Sequence, residues 1–116
     1  MPEQINIANI EYASGYIDNN GNIGTASTSW YSSNIFLLPG KYKIKVISNT
    51  YFSGSFAARV HRYNLSDVWQ EMLLRYSSTA PTPENKIWTF EINIAEPSYI
   101  KLSIRYSLSL LEIEKL

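Results

Sequence analysis

Hydrophobic residues recur at every second position along most of this chain. In KYKIKVIS, Tyr42, Ile44 and Val46 alternate with Lys41, Lys43 and Lys45. In IWTFEINI, Trp88, Phe90, Ile92 and Ile94 share one side, and Thr89, Glu91 and Asn93 share the other. SYIKLSIRY sets Ile100, Leu102, Ile104 and Tyr106 against Tyr99, Lys101, Ser103 and Arg105. Side chains of an extended chain point alternately up and down, so a period of two predicts strands with one buried and one wet face. Weaker forms of the pattern predict strands over Ile10–Ile17, with Ile10, Tyr12 and Tyr16 on a common face, and over Asn34–Leu38, Phe56–Tyr63 and the C-terminal Leu111 and Ile113. The stretch Asp67–Tyr76 also has helical spacing at Val68, Met72 and Arg75. Its strand neighbours and the turn-forming YNLSD before it favour a strand there too.

Turn chemistry separates these runs. Pro39-Gly40 closes one, and Ser77–Lys86, with two prolines and no large apolar residue, predicts a surface loop. About eight short antiparallel strands with no long helix point to an all-β fold, a single-domain β-sandwich of jelly-roll topology. The length of 116 residues suits one domain. Residues 1–9 read as an N-terminal extension that contacts an assembly, and 10–116 as the sandwich.

Charge narrows the partners. Lys plus Arg and Asp plus Glu are ten each, so no field of one sign draws this chain to nucleic acid or an anionic membrane. Zero net charge favours self-association, which suggests a homo-oligomer within a larger assembly. No apolar run approaches the roughly 20 residues a spanning helix requires, and MPEQINIANI lacks the basic and apolar regions of a signal peptide. The absence of cysteine excludes disulfides, thiolate metal sites and thiol nucleophiles.

Catalytic groups are sparse. His61 is the one histidine, and it lies mid-strand in RVHRY with no nucleophile motif elsewhere, so an exposed or half-buried strand histidine is the simpler reading. Glu71 and Glu91 form a conceivable carboxylate pair for glycoside hydrolysis, but each sits where the solvent face of a strand is expected. Asp18, Asn20 and Asn22 have the spacing that opens a calcium loop, yet Ile23 and Ser29 occupy the positions where such a loop needs its glycine and its bidentate glutamate. DNNGN therefore reads as a hairpin, with Asn20-Gly21 expected in a type I′ turn and structural calcium as the lesser alternative. No cofactor is expected.

What the sequence does supply is binding chemistry. Aromatic rings stack on the C–H faces of sugars, while planar polar side chains take the hydroxyls. The candidates are Tyr31, Tyr51, Phe52, Arg59, Arg62, Tyr63 and Trp69. Trp88 is in phase with a buried face and is expected in the core. Trp30 and Tyr31 are adjacent, so they point to opposite faces; Trp30 is expected as the anchor and Tyr31 as the outward ring.

The order of motifs carries a resemblance. GYIDNNGNIG, SWYSSNIFLLPGKYKIKV, ARVHRYNLS and TFEINIAEPSYIKLSIRY follow one another over roughly Ile10 to Tyr106. The positions concerned are Gly15, Ile17, Gly21, Trp30, Ser32, Pro39, Gly40, Tyr42, Tyr63, Asn64, Phe90, Tyr99, Ile100, Lys101 and Ser103. This pattern resembles the carbohydrate-binding-module-like jelly-roll domains of bacteriophage tail and fibre proteins. The resemblance implies a non-catalytic receptor-binding or accessory module of a virion. Its partners would be a host-surface glycan and other virion proteins, and its assembly a homo-oligomer such as a trimer. The other readings are a structural or decoration subunit of a capsid or tail, and a carbohydrate-binding module of a bacterial enzyme.

Overall fold

The computed structural model describes residues 3–25, 29–47, 55–79, 87–105 and 110–116. Among the described residues the expected alternation becomes twelve strands: β1 Glu3–Gln4, β2 Tyr12–Ser14, β3 Tyr16–Ile17, β4 Ile23–Gly24, β5 Ser29–Ser32, β6 Ile35–Leu37, β7 Gly40–Ile47, β8 Ser55–Tyr63, β9 Trp69–Thr79, β10 Ile87–Ile94, β11 Ser98–Arg105 and β12 Leu110–Lys115. A four-stranded sheet runs β1-β12-β7-β10. A six-stranded sheet runs β2-β5-β11-β8-β9, with β6 also on β11. All pairings are antiparallel.

Eight of the strands trace the jelly roll that the sequence suggests. The chain places β7 in the first sheet, β8 and β9 in the second, and β10 back beside β7. It then inserts β11 between β5 and β8, and β12 between β1 and β7. Against the expected eight, β1, β4 and β5 are additional and the expected Ile10–Ile17 strand is divided in two, while β6 is the expected Asn34–Leu38 strand. Gly15, at φ 129°, breaks the expected Ile10–Ile17 strand into β2 and β3. Ser32 and Ser33 separate β5 from β6. Their hydroxyls take over the ladder there, accepting the Leu102 N–H at 2.9 Å and the Glu11 N–H at 3.1 Å.

The core lies between the sheets. Tyr42, Ile44, Val46, Trp88, Phe90, Ile92, Ile94, Leu111 and Ile113 face Ile35, Leu37, Ala58, Val60, Ile100, Leu102 and Ile104. Full burial of such a side chain contributes about 1.5–3 kcal/mol. Ile5, Ile7 and Ile10 pack on this core, and β1 pairs with β12. The stretch read from sequence as an extension therefore contains the first strand of the sandwich.

The ambiguous segment is the strand β9, and its helical spacing has a physical source. Register shifts fall between Val60 and His61 and between Arg62 and Tyr63. Leu73 and Gln70 are the extra residues, and each bulge shifts the alternation by one.

On the outer face of the four-stranded sheet the lysines of β7 lie between acidic neighbours. Lys43 pairs with Glu114 and Glu91, and Lys45 with Glu112. Lys41 Nζ lies 3.1 Å from Glu91. Exposed pairs of this kind contribute about 0–1 kcal/mol each, so the lysine stripe is neutralised rather than presented to an anion.

Two connections share one design. In the first, the Asp18 carboxylate accepts the N–H groups of Asn20 and Asn22, Gly21 N–H donates to Asp18 O, and Gly21 takes φ 83°. In the second, the Asn64 side chain accepts from Ser66 and Val68, Asp67 N–H donates to Asn64 O, and Asp67 takes φ 63°. Each is a tight turn followed by a left-handed residue. This corrects the expected type I′ turn: Asn20 does not take the positive φ that such a turn needs, because the Asp18 side chain already organises the loop.

Candidate functional site

Residues directly opposite in an antiparallel pair share a face. On the outer face of the six-stranded sheet this produces a cross-strand row of aromatics: Phe36 opposite Tyr99, Tyr99 opposite Tyr63, Tyr63 opposite Trp69. Three strand spacings make the row about 14 Å long. The next row is Lys101, His61 and Met72, and the one after it Ala13, Tyr31, Ser103, Arg59 and Arg75.

The β3–β4 hairpin roofs part of this face. Ile17 is fully buried beneath it, its N–H donating to Ser103 Oγ at 3.0 Å. Gly21 sits directly on the Trp69 indole, where a Cβ would stand 2.6 Å from the ring. Arg59 Nε donates to Asn19 Oδ1 at 2.8 Å.

His61 lies under this roof, fully buried, where the sequence suggests an exposed or half-buried side chain. Trp69 Nε1–H donates to its Nδ1 at 3.0 Å, so the ring proton belongs on Nε2. Nε2 has no partner in hydrogen-bonding geometry, although the Ile17 backbone is near enough to favour its proton. Burial holds the imidazole below its ordinary pKa, with Arg59 adding to the effect and Ile17 and Asp18 opposing it. The group is a neutral structural histidine.

The open part of the face is a groove of 180 Å³ beside the roof, lined by Glu11, Tyr12, Ala13, Tyr31, Ser32, Ser33 and Lys101. The strands β2, β5 and β11 and the β5–β6 break build it. Lys101 projects from the central strand β11, its Nζ 4.9 Å from the centroid of the Tyr63 ring. Among the described residues no carboxylate lies within 4.0 Å of this ammonium.

The residues singled out in the sequence fall in several places. Tyr31, Arg59, Tyr63 and Trp69 share the outer face, but only Tyr31 lines the groove. Tyr63 is 6 % exposed, and its burial raises the phenol pKa. Trp69 is half-buried under Gly21, and Arg59 is engaged by Asn19. Arg62 lies opposite Ile100 on the core-facing side. Its guanidinium is held by Glu71 at 2.7 Å, Glu96 at 3.1 Å and Ser98 at 3.4 Å. Tyr51 and Phe52 lie outside the described residues.

Glu71 and Glu91 do not converge: one is on the six-stranded sheet bound to Arg62, the other on the four-stranded sheet bound to Lys41.

Trp30 and Tyr31 do point to opposite faces, but their exposures reverse the expectation. Trp30, opposite the core residue Ile104, is 38 % exposed, because only the three-residue β2 flanks β5 at that margin. Tyr31 is half-buried against Gly15. Sequence reasoning missed Glu11, Tyr12, Ser33 and Lys101 as groove residues. The signal available was the Ser-Ser-Asn interruption after Trp30-Tyr31, which marks a break in a sheet.

No protein-family model and no curated protein matches this chain. Among solved structures, the K1 cleaved adhesin domain of Lys-gingipain from Porphyromonas gingivalis W83 is similar at 15% identity and a TM-score of 0.53, over 98% of this chain and 92% of that one. The CBM22-1–GH10 modules of the N-terminal endo-1,4-beta-D-xylanase 10B of Clostridium thermocellum, complexed with xylohexaose, match at 15% identity and a TM-score of 0.42, over 98% of this chain and 25% of that one. At such identity the likeness to the adhesin domain is one of fold.

Proposed function

We propose that this domain is a non-catalytic glycan-binding module, and that its ligand sits in the groove formed by Tyr31, Tyr12, Glu11, Ser33 and Lys101. The observation that carries the reading is the meeting of Tyr31, the Lys101 cation, the Glu11 carboxylate and the Ser33 hydroxyl at one 180 Å³ groove on the sheet. Tyr31 supplies a ring for the C–H face of a sugar. Lys101 donates to hydroxyls, Glu11 accepts from them, and the rigid strand β11 holds the ammonium in place. The fold likeness to an adhesin domain supports a binding role. The motif order supports the finer setting, a virion protein of a phage tail or fibre that attaches to a host-surface glycan as a homo-oligomer such as a trimer.

Titration with an oligosaccharide library followed by calorimetry tests the reading. Binding that Tyr31→Ala weakens at least tenfold in a folded protein is the expected result. No binding across host-surface polysaccharides contradicts it.

A second reading, a structural or decoration subunit that docks on other virion proteins, draws on a different place. Phe36 and Leu38, 47 % and 52 % exposed, line a groove of 350 Å³ with Ile5, Leu37 and Tyr42. Aspartate at both positions would then abolish incorporation into particles while leaving glycan binding intact.

A further inference from the structure

Lys101 and Lys115 are both half-buried with an ammonium over a tyrosine ring, that of Tyr63 and of Tyr42, but Lys115 stands opposite Glu3 in its strand pair whereas Lys101 stands opposite His61. Lys41 is paired with Glu91, and Arg62 with Glu71 and Glu96. Lys43 and Lys45 lie in rows with Glu91, Glu112 and Glu114. Arg59 holds Asn19, next to Asp18. Lys101 has no carboxylate within 4.0 Å among the described residues, yet it is half-buried, with its ammonium over the Tyr63 ring. A cation partly removed from water and lacking a counter-charge gains most from an anionic partner. The histidine opposite it, His61, is neutral and adds no charge of its own.

We infer that the groove selects acidic saccharides, the carboxylate of a uronic or sialic acid meeting the Lys101 ammonium while Tyr31 takes the ring face. This rests on the glycan-binding reading and names its ligand class. Glu11 lines the same groove but is exposed, so water screens its charge, and it serves as an acceptor for sugar hydroxyls. One half-buried cation beside one exposed carboxylate suits a ligand with a single negative group at the site. It disfavours densely charged polyanions such as nucleic acids.

The test uses the whole chain and calorimetry with four probes: oligogalacturonate, its methyl ester, sialyllactose and lactose. The acidic member of each pair is expected to bind about tenfold or more tightly than its neutral partner, with an affinity that falls as salt rises. Lys101→Gln is expected to erase this preference, bringing each acidic member to the affinity of its neutral partner, and Lys101→Arg to keep it. Equal binding of acidic and neutral members overturns the inference while leaving the glycan reading in place. A preference that survives in Lys101→Gln also overturns it. Binding of none of the four, with other neutral glycans bound at the groove, overturns the ligand class alone. No binding of any glycan removes both.

Discussion

Replacing Gly21 by alanine tests how the hairpin is fastened to the sheet. The new Cβ would stand 2.6 Å from Trp69 Cδ1 and Cγ and 2.7 Å from Cδ2. Carbon atoms pack best at about 3.5–4.0 Å, so ring or loop must move by roughly 1 Å. The ring is poorly placed to yield, because its Nε1 is bonded to His61. Overpacking of this kind costs about 1–3 kcal/mol. The backbone adds its own term: at φ 83° an L-residue costs about 1–2 kcal/mol. The expected loss is therefore about 2–5 kcal/mol, measured by urea unfolding followed by circular dichroism. A double-mutant cycle separates the two terms. In a Trp69→Ala background the steric term disappears and Gly21→Ala should cost only about 1–2 kcal/mol. A cost below 1 kcal/mol, or one that is the same with and without the indole, would refute the reasoning.

Lowering the pH should weaken the fold through His61. Its folded pKa lies below the ordinary 6.5, so the unfolded chain takes up the proton first as pH falls. The contribution is complete above about pH 6.5 and is lost progressively below it, towards the depressed folded value. Urea midpoints at pH 7.5 and 5 should show a drop that is smaller in His61→Gln; an equal drop in both proteins argues against this role. Ser103→Ala removes the acceptor for the buried Ile17 N–H and should cost about 1–3 kcal/mol, read from thermal or urea melts. Ser33→Ala removes an exposed acceptor, that of Glu11 N–H, and should cost less than about 1 kcal/mol by the same measurement. If the two serines cost the same, burial is not what decides.

The strands with a buried face were legible because their periodicity is set by burial itself. Trp88, Phe90, Ile92 and Ile94 alternate in sequence and lie in the core. The order of the sandwich was legible too, since short antiparallel strands without helices leave few ways to close two sheets. The site was much less so. Alternation identifies the outward residues of one strand, but Tyr31, Lys101 and Glu11 meet through pairings between β2, β5 and β11 that no local pattern encodes. The roof over His61 was invisible for a related reason. Ile17 is two residues from Gly15 in a polar hairpin, and only the fold places it on the sheet over a histidine. Arg62 misled because its alternation said nothing of Glu96, which reaches it from a distant turn.

Resonance mapping of the ligand site tests the account most directly. Amide shifts of the uniformly labelled protein would be followed during titration with the tightest-binding saccharide. The groove reading predicts the largest changes at Glu11, Ala13, Tyr31, Ser33 and Lys101, with little change at Lys41, Lys43 and Lys45. Changes centred on the four-stranded sheet or on the groove of Phe36 and Leu38, with Tyr31 and Lys101 unmoved, would contradict it.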